Sequence, residues 1–350
     1  MPDASPFWNA YKTFVKDRLL PGVPVPQDQA IFAQSFSDPL TSATTALSSE
    51  NANYLVYGLA NTTLATDGSK GAYDNDLKVY LNTVDESTLT DPKAKQELEA
   101  AESALVEAQN NFTEVEKDAR KRWGRLPEPK PTFEAWASGD PIYTQAKADV
   151  RLAQGARDQA YNRYHGKIDI LRRYQEQVRK ALDENTSYPS YNMAVEHEST
   201  SGFKPAYSAS GLRDQLNRWI EGSAGLIDRT MFEVKIDSGT PTSTQTSADS
   251  GIYLKFTTKD VASFSLKAEE WNVPGVKTLY PKRVAGAPDV LNPKYALPVS
   301  VLVAYGPRLD VELRESSGST TLSSTSTTQI ADDKPYIAVL GILGQHFPAK

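Results

Sequence analysis

The chain has 350 residues, none of them cysteine, and a formal charge of −6. Disulfides, thiolate nucleophiles, cysteine-bound zinc and iron–sulfur clusters are thereby excluded, and an acidic balance gives no general attraction to nucleic acid or to an anionic membrane surface. With 39% apolar and 23% charged residues and a mean hydropathy of −0.49, the composition is that of a folded chain long enough for about two domains.

The N-terminal stretch MPDASPFWNAYKTFVKDRLLPG lacks a basic segment followed by an unbroken apolar run, so it does not have the form of a signal peptide. Ser5 and Pro6 instead predict the start of a short helix. No segment approaches the roughly 18 apolar residues of a membrane span. A cytoplasmic location or leaderless release is the expectation. Amphipathic patches at 7–19, 30–36 and 40–59, interrupted by PGVPVP near Pro21, predict further short helices.

The strongest periodic signal begins at Thr90-Asp91-Pro92, which has the form of a helix start. From there Ala94, Leu98, Ala101, Leu105, Ala108, Phe112, Val115 and Ala119 recur at alternating steps of four and three, a heptad stripe predicting a helix over 91–125. Alanine at half of these positions lets a partner backbone approach closely, so a covering helix is required. Residues 142–184, free of proline, offer one: Ala146, Val150, Ala153, Ala160, Tyr164, Leu171, Val178 and Leu182 form its apolar face, interrupted at Arg157 and Lys167. The economical arrangement is an antiparallel hairpin within an N-terminal helical bundle, residues 1–189.

After Tyr188-Pro189 the period shifts toward two. Phe232, Val234 and Ile236 alternate with charged residues; so do Ile252, Leu254 and Phe256, and Leu309, Val311 and Leu313. Phe264 with Leu266 and Val301 with Val303 continue the pattern, Tyr336 to Leu343 predicts a more fully buried strand, and one helix is expected near 211–221. The polar tracts beginning at Ser238 and Glu315 predict loops. The fold class expected is therefore α+β: the helical bundle, then an antiparallel β-sandwich over 190–350.

Chemistry-bearing patterns are sparse. The three histidines are His165, His197 and His346; in Glu196-His197-Glu198 the histidine of a strand would point away from both glutamates. Neither a phosphate loop, a dinucleotide fingerprint, a nucleophile elbow nor His-Glu-x-x-His occurs. No catalytic residue, cofactor or metal is therefore assigned. The sharper candidates are contact residues. Arg122, Trp123, Arg125, Phe133 and Trp136 gather basic and aromatic side chains at the end of the first long helix, a pattern suited to a partner protein or lipid headgroups. Trp271 and Tyr280 lie in the most aromatic connection of the β part and would suit a carbohydrate or peptide groove.

The leading expectation is a non-enzymatic interaction protein that self-associates or assembles through its helices and binds through its sheets. The alternatives are a membrane-active, pore-forming-type protein with rearranging helices, and a carbohydrate-binding or hydrolytic β domain.

Overall fold

A computed structural model describes residues 5–41, 46–182, 190–192, 203–222, 225–236, 251–315, 318–320 and 336–349. In chain order its first half contains α1 (Ser5–Leu19), β1 (Gln29–Ala33), β2 (Pro39–Thr41), α2 (Ser49–Asn61), β3 (Thr62–Ala65), β4 (Lys70–Ala72), α3 (Tyr73–Asn82), α4 (Pro92–Gly124), α5 (Phe133–Ala137) and α6 (Pro141–Ala181). There follow β5 (Ser190–Asn192), β6 (Phe203–Pro205), β7 (Tyr207–Ser208), α7 (Leu212–Glu221), β8 (Arg229–Ile236), β9 (Gly251–Thr258), β10 (Asp260–Ser265), β11 (Lys267–Ala268), α8 (Val276–Leu279), β12 (Tyr295–Tyr305), β13 (Arg308–Glu315), β14 (Gly318–Thr320) and β15 (Ile337–His346). The fold is mixed α+β, and its sheets are antiparallel.

Two compact units divide the chain: Met1–Asn82 with Gln177–Pro281 and Pro288–Lys350, and Thr83–Glu176 with Lys282–Ala287. The expected division at Tyr188-Pro189 lies outside the described residues, and residues 1–82 belong with the strands rather than with the long helices.

In the first unit a seven-stranded sheet runs β1-β15-β12-β3-β4, with β10 also on β12 and β2 also on β15. A second sheet runs β14-β13-β9-β8. Strands β12 and β15, long and central, carry near-continuous apolar runs because both faces are covered. Their cover on one side is α1, whose Phe7, Tyr11, Val15 and Leu19 recur every fourth residue and so share one face. They form one core with Phe256, Leu302, Ala304, Leu340 and Leu343, flanked by Phe232, Leu254 and Leu309, so that both sheets contribute to the same apolar cluster. Burying each large side chain there stabilises the fold by roughly 1.5–3 kcal/mol. The Tyr11 hydroxyl donates to Gln34 O at 2.9 Å and Leu340 O at 3.0 Å, which places the phenol in the core with its polar end satisfied.

One expectation is corrected here. Residues 30–36, predicted as a short helix, contain β1, paired in antiparallel register with β15 from Gln29↔Gln345 to Ala33↔Gly341. A strand partner 316 residues away decides this conformation, which the local pattern cannot report.

The second unit holds α4, α5 and all but the end of α6. Asp91 caps α4 by accepting from Lys93 N at 2.9 Å, with Pro92 in the first turn. Contacts between α4 and α6 run in opposite sequence directions: Glu97 with Arg163 at 2.8 Å, Glu102 with Arg157 at 3.9 Å, and the rings of Phe112 and Tyr143 5.3 Å apart. At the ends of the predicted stripe Ala94, Leu98 and Ala119 are buried, while Ala101, Leu105, Ala108, Phe112 and Val115 are half-buried.

Candidate functional site

The segment joining α4 to α6 gathers the first group of predicted contact residues. Thr132 accepts from Ala135 N and starts the short helix α5, which turns Phe133 and Ala137 inward against Ala119, with Trp123, Trp136 and Tyr143 packed around them. Three cations lie on these rings: Arg120 over Phe133 at 4.2 Å, Lys130 over Trp123 at 4.4 Å and Arg122 over Trp136 at 5.6 Å. Trp123 Nε1 donates to Pro131 O at 2.9 Å.

The charges are also engaged within this segment. Arg122 meets buried Asp140 at 2.6 Å, Arg120 meets Glu116 at 2.6 Å, and Lys121 meets Asp118 at 3.0 Å. Asp140 in turn accepts from Ile142 N and Tyr143 N, capping α6. Arg125 is exposed at the end of α4. The structure thus brings Arg122, Trp123, Phe133 and Trp136 together as a small aromatic core closed over by its own cations.

Trp271 and Tyr280 are buried rather than presented on a groove. Trp271 Nε1 donates to Ala206 O at 2.7 Å, and its ring meets Tyr207 and Tyr73 at 5.3 and 5.9 Å. Tyr280 O accepts from the Tyr80 hydroxyl at 2.8 Å. These aromatics pin their loop to the unit's interior, which explains their concentration there.

Beside Tyr207 lies a polar cluster that the sequence reading missed. Buried Asp74 accepts from Tyr57 Oη at 2.9 Å, from Asn61 Nδ2 at 3.0 Å and from Asn75 N at 2.7 Å. Asn61 Oδ1 accepts from Asp74 N and from Tyr207 Oη, at 2.9 and 2.7 Å. Burial first, and the Asp74 carboxylate next, push the Tyr57 phenol well above its ordinary value, consistent with its role as donor. Two residues on, the Asp76 carboxyl is raised above the usual range by desolvation and then by Asp74. Thr63, fully buried on β3, has a hydroxyl with no hydrogen-bond partner. The one local signal was the acidic pair Asp74 and Asp76 opening a helix.

Of the histidines, His165 stacks beside Tyr161 and Tyr164, with centroids 4.7 and 4.5 Å away. His346 Nδ1 lies 3.1 Å from Pro293 O. Glu196-His197-Glu198 falls outside the described residues. Among the described residues, no three histidine or acidic side chains group as metal ligands, and no helix is long and apolar enough to cross a membrane. Compared with protein-family models, curated proteins and solved structures, the chain matches none.

Proposed function

We propose that this chain is a non-enzymatic interaction protein that associates with a second copy of itself through α4 and α6, which act as an antiparallel hairpin, while the sheets of its other unit, arranged as a sandwich, serve for binding. The observation that carries this proposal is the uncovered apolar surface midway along the two helices. Residues 102 and 112 on α4 meet 157 and 143 on α6, so Val106 and Leu152 lie at about the same level, and they are 55% and 72% exposed. Scattered apolar residues on a surface need no explanation, but each of these two flanks the half-buried stripe, Val106 next to Leu105 and Leu152 next to Ala153, and extends the apolar surface of its helix that a further helix would cover.

Charge supports a second copy as the occupant. Residues 91–107 carry five acids and two lysines, whereas residues 108–125 carry three acids and five basic residues. Two copies of α4 laid antiparallel place the acidic half of each opposite the basic half of the other, a self-complementary arrangement suited to a two-fold dimer. The lipid-docking alternative draws less support, because Phe133 of the α4–α6 connection is buried and Trp123 and Trp136 are half-buried around it.

Sedimentation velocity over a hundredfold range of concentration tests this. A dimer is expected for the native chain and a monomer for the Val106→Glu/Leu152→Glu variant, with unchanged far-ultraviolet circular dichroism. A native chain that stays monomeric at the highest concentration overturns the proposal.

A further inference from the structure

The unpartnered Thr63 hydroxyl is the starting point. On the ladder between β3 and β4, Thr63 is opposite Gly71. A methyl placed on Gly71 would lie 2.6 Å from Thr63 Oγ1 and 3.3 Å from Asp76 Oδ2. Both oxygens therefore border the same small space above the glycine, within about 6 Å of each other at most, and a modest closing of the pair brings them to the roughly 4–5 Å that two oxygens on one magnesium or calcium ion span. Only glycine leaves that space open.

Asp74 and Asp76 bring two carboxyl groups to the first turn of α3, and no ion pair to either is present among the described residues. The helix N-terminus accounts for acids at this position and the three donors to Asp74 account for its burial. Neither accounts for a buried hydroxyl left without a partner beside the space that the Asp76 carboxyl also borders, an arrangement that costs free energy unless something satisfies the hydroxyl.

We propose that Asp76 and Thr63, backed by the charge of Asp74, form a site for a hard divalent cation of the calcium or magnesium class. The donors are all oxygen, as such cations require; one or two carboxylates, a hydroxyl and retained water are a sufficient set for magnesium, and calcium tolerates the irregular geometry. The absence of sulfur and imidazole from the cluster disfavours zinc and copper.

The test uses the full chain stripped with chelator, then titrated with calcium chloride or magnesium chloride at matched ionic strength, with sodium chloride as the control. Saturable heat in calorimetry and a rise of several degrees in Tm are expected from one or both cations. Terbium should report the same site through emission sensitised by Tyr57, which hydrogen-bonds Asp74. Thr63→Val and Asp76→Asn should each weaken binding tenfold or more, Thr63→Ser should retain it, and Gly71→Ala should obstruct it. Glu107→Gln, at an exposed carboxylate on α4, should change nothing. Because Thr63→Ser and Thr63→Val differ by whether the hydroxyl is kept, a folding defect in one variant does not decide the outcome. No saturable response in the native chain, or one retained by both Thr63→Val and Asp76→Asn, overturns the proposal.

Discussion

Gly341 on β15 lies directly beneath Val15 of α1: a methyl at position 341 would stand 2.2 Å from Val15 Cγ1. The close approach of helix to sheet thus depends on a missing side chain at one residue of a strand. Gly341→Ala is expected to force α1 outward or Val15 out of its rotamer, costing about 1–3 kcal/mol as overpacking does. Denaturant titration checks this. Gly341→Ala combined with Val15→Ala should recover part of the loss, because the second change vacates the contested space; a loss unchanged in the double variant contradicts the steric account.

Tyr11 gives a second measure of the same core. Tyr11→Phe keeps the ring among Phe7, Phe36 and Phe256 but removes the donor shared by Gln34 O and Leu340 O. The expected loss is about 1–2 kcal/mol. Tyr11→Leu should lose more, since it sacrifices aromatic packing as well. Equal losses in the two variants would show that the hydroxyl alone carries the effect.

Much of the helical pattern was legible because it is local. The Asp91-Pro92 start and the four-three steps from Ala94 to Ala119 require only neighbours along the chain, and α4 follows them. The alternating residues from Phe232, Ile252 and Leu309 likewise lie on β8, β9 and β13. What was not legible depends on partners distant in sequence. β1 is a strand because β15 supplies its ladder, and Asn61 joins a polar cluster because Tyr207, 146 residues away, donates to it. Trp271 illustrates the ambiguity of an aromatic in a loop: the same residue suits a groove or an interior, and its bond to Ala206 O places it in the interior.

At the start of α6, Asp140 performs two tasks that can be separated. It caps the helix by accepting from Ile142 N and Tyr143 N and pairs with Arg122. Asp140→Ala should cost about 1–2 kcal/mol, through lost capping together with the lost pair. Arg122→Ala should cost less, because Arg122 is partly exposed and Asp140 keeps its two amide donors. Amide exchange in the first turn of α6 should accelerate for Asp140→Ala and change little for Arg122→Ala.

Asp76 predicts a pH dependence of definite sign. Its carboxyl is held above the ordinary range by burial and by Asp74, so the folded chain favours the protonated form. That contribution to stability is fully present below the unfolded-state value, and it is lost as pH rises through the folded-state value. In chelator-treated protein, Asp76→Asn should therefore raise Tm near neutral pH, by about a few degrees, and have little effect at low pH, where the native residue is already neutral. Differential scanning fluorimetry across pH checks this, and an effect of equal size at both extremes contradicts the sign.

Arg157 interrupts the apolar face of α6 at a stripe position, four residues after Ala153 and three before Ala160. It is held there by Glu102 at 3.9 Å and Asp158 at 3.3 Å, with the Tyr161 ring 4.9 Å away. A polar residue in such a seam sets register at some expense of stability, so Arg157 should restrict how tightly two copies associate under the proposed function. Arg157→Leu continues the stripe from Ala153 to Ala160 and is expected to tighten self-association at least tenfold in sedimentation equilibrium, with a broader distribution of species. Arg157→Lys retains a charge without the planar guanidinium and should leave the native behaviour nearly intact. An Arg157→Leu chain that sediments as the native one does would place position 157 outside the associating surface.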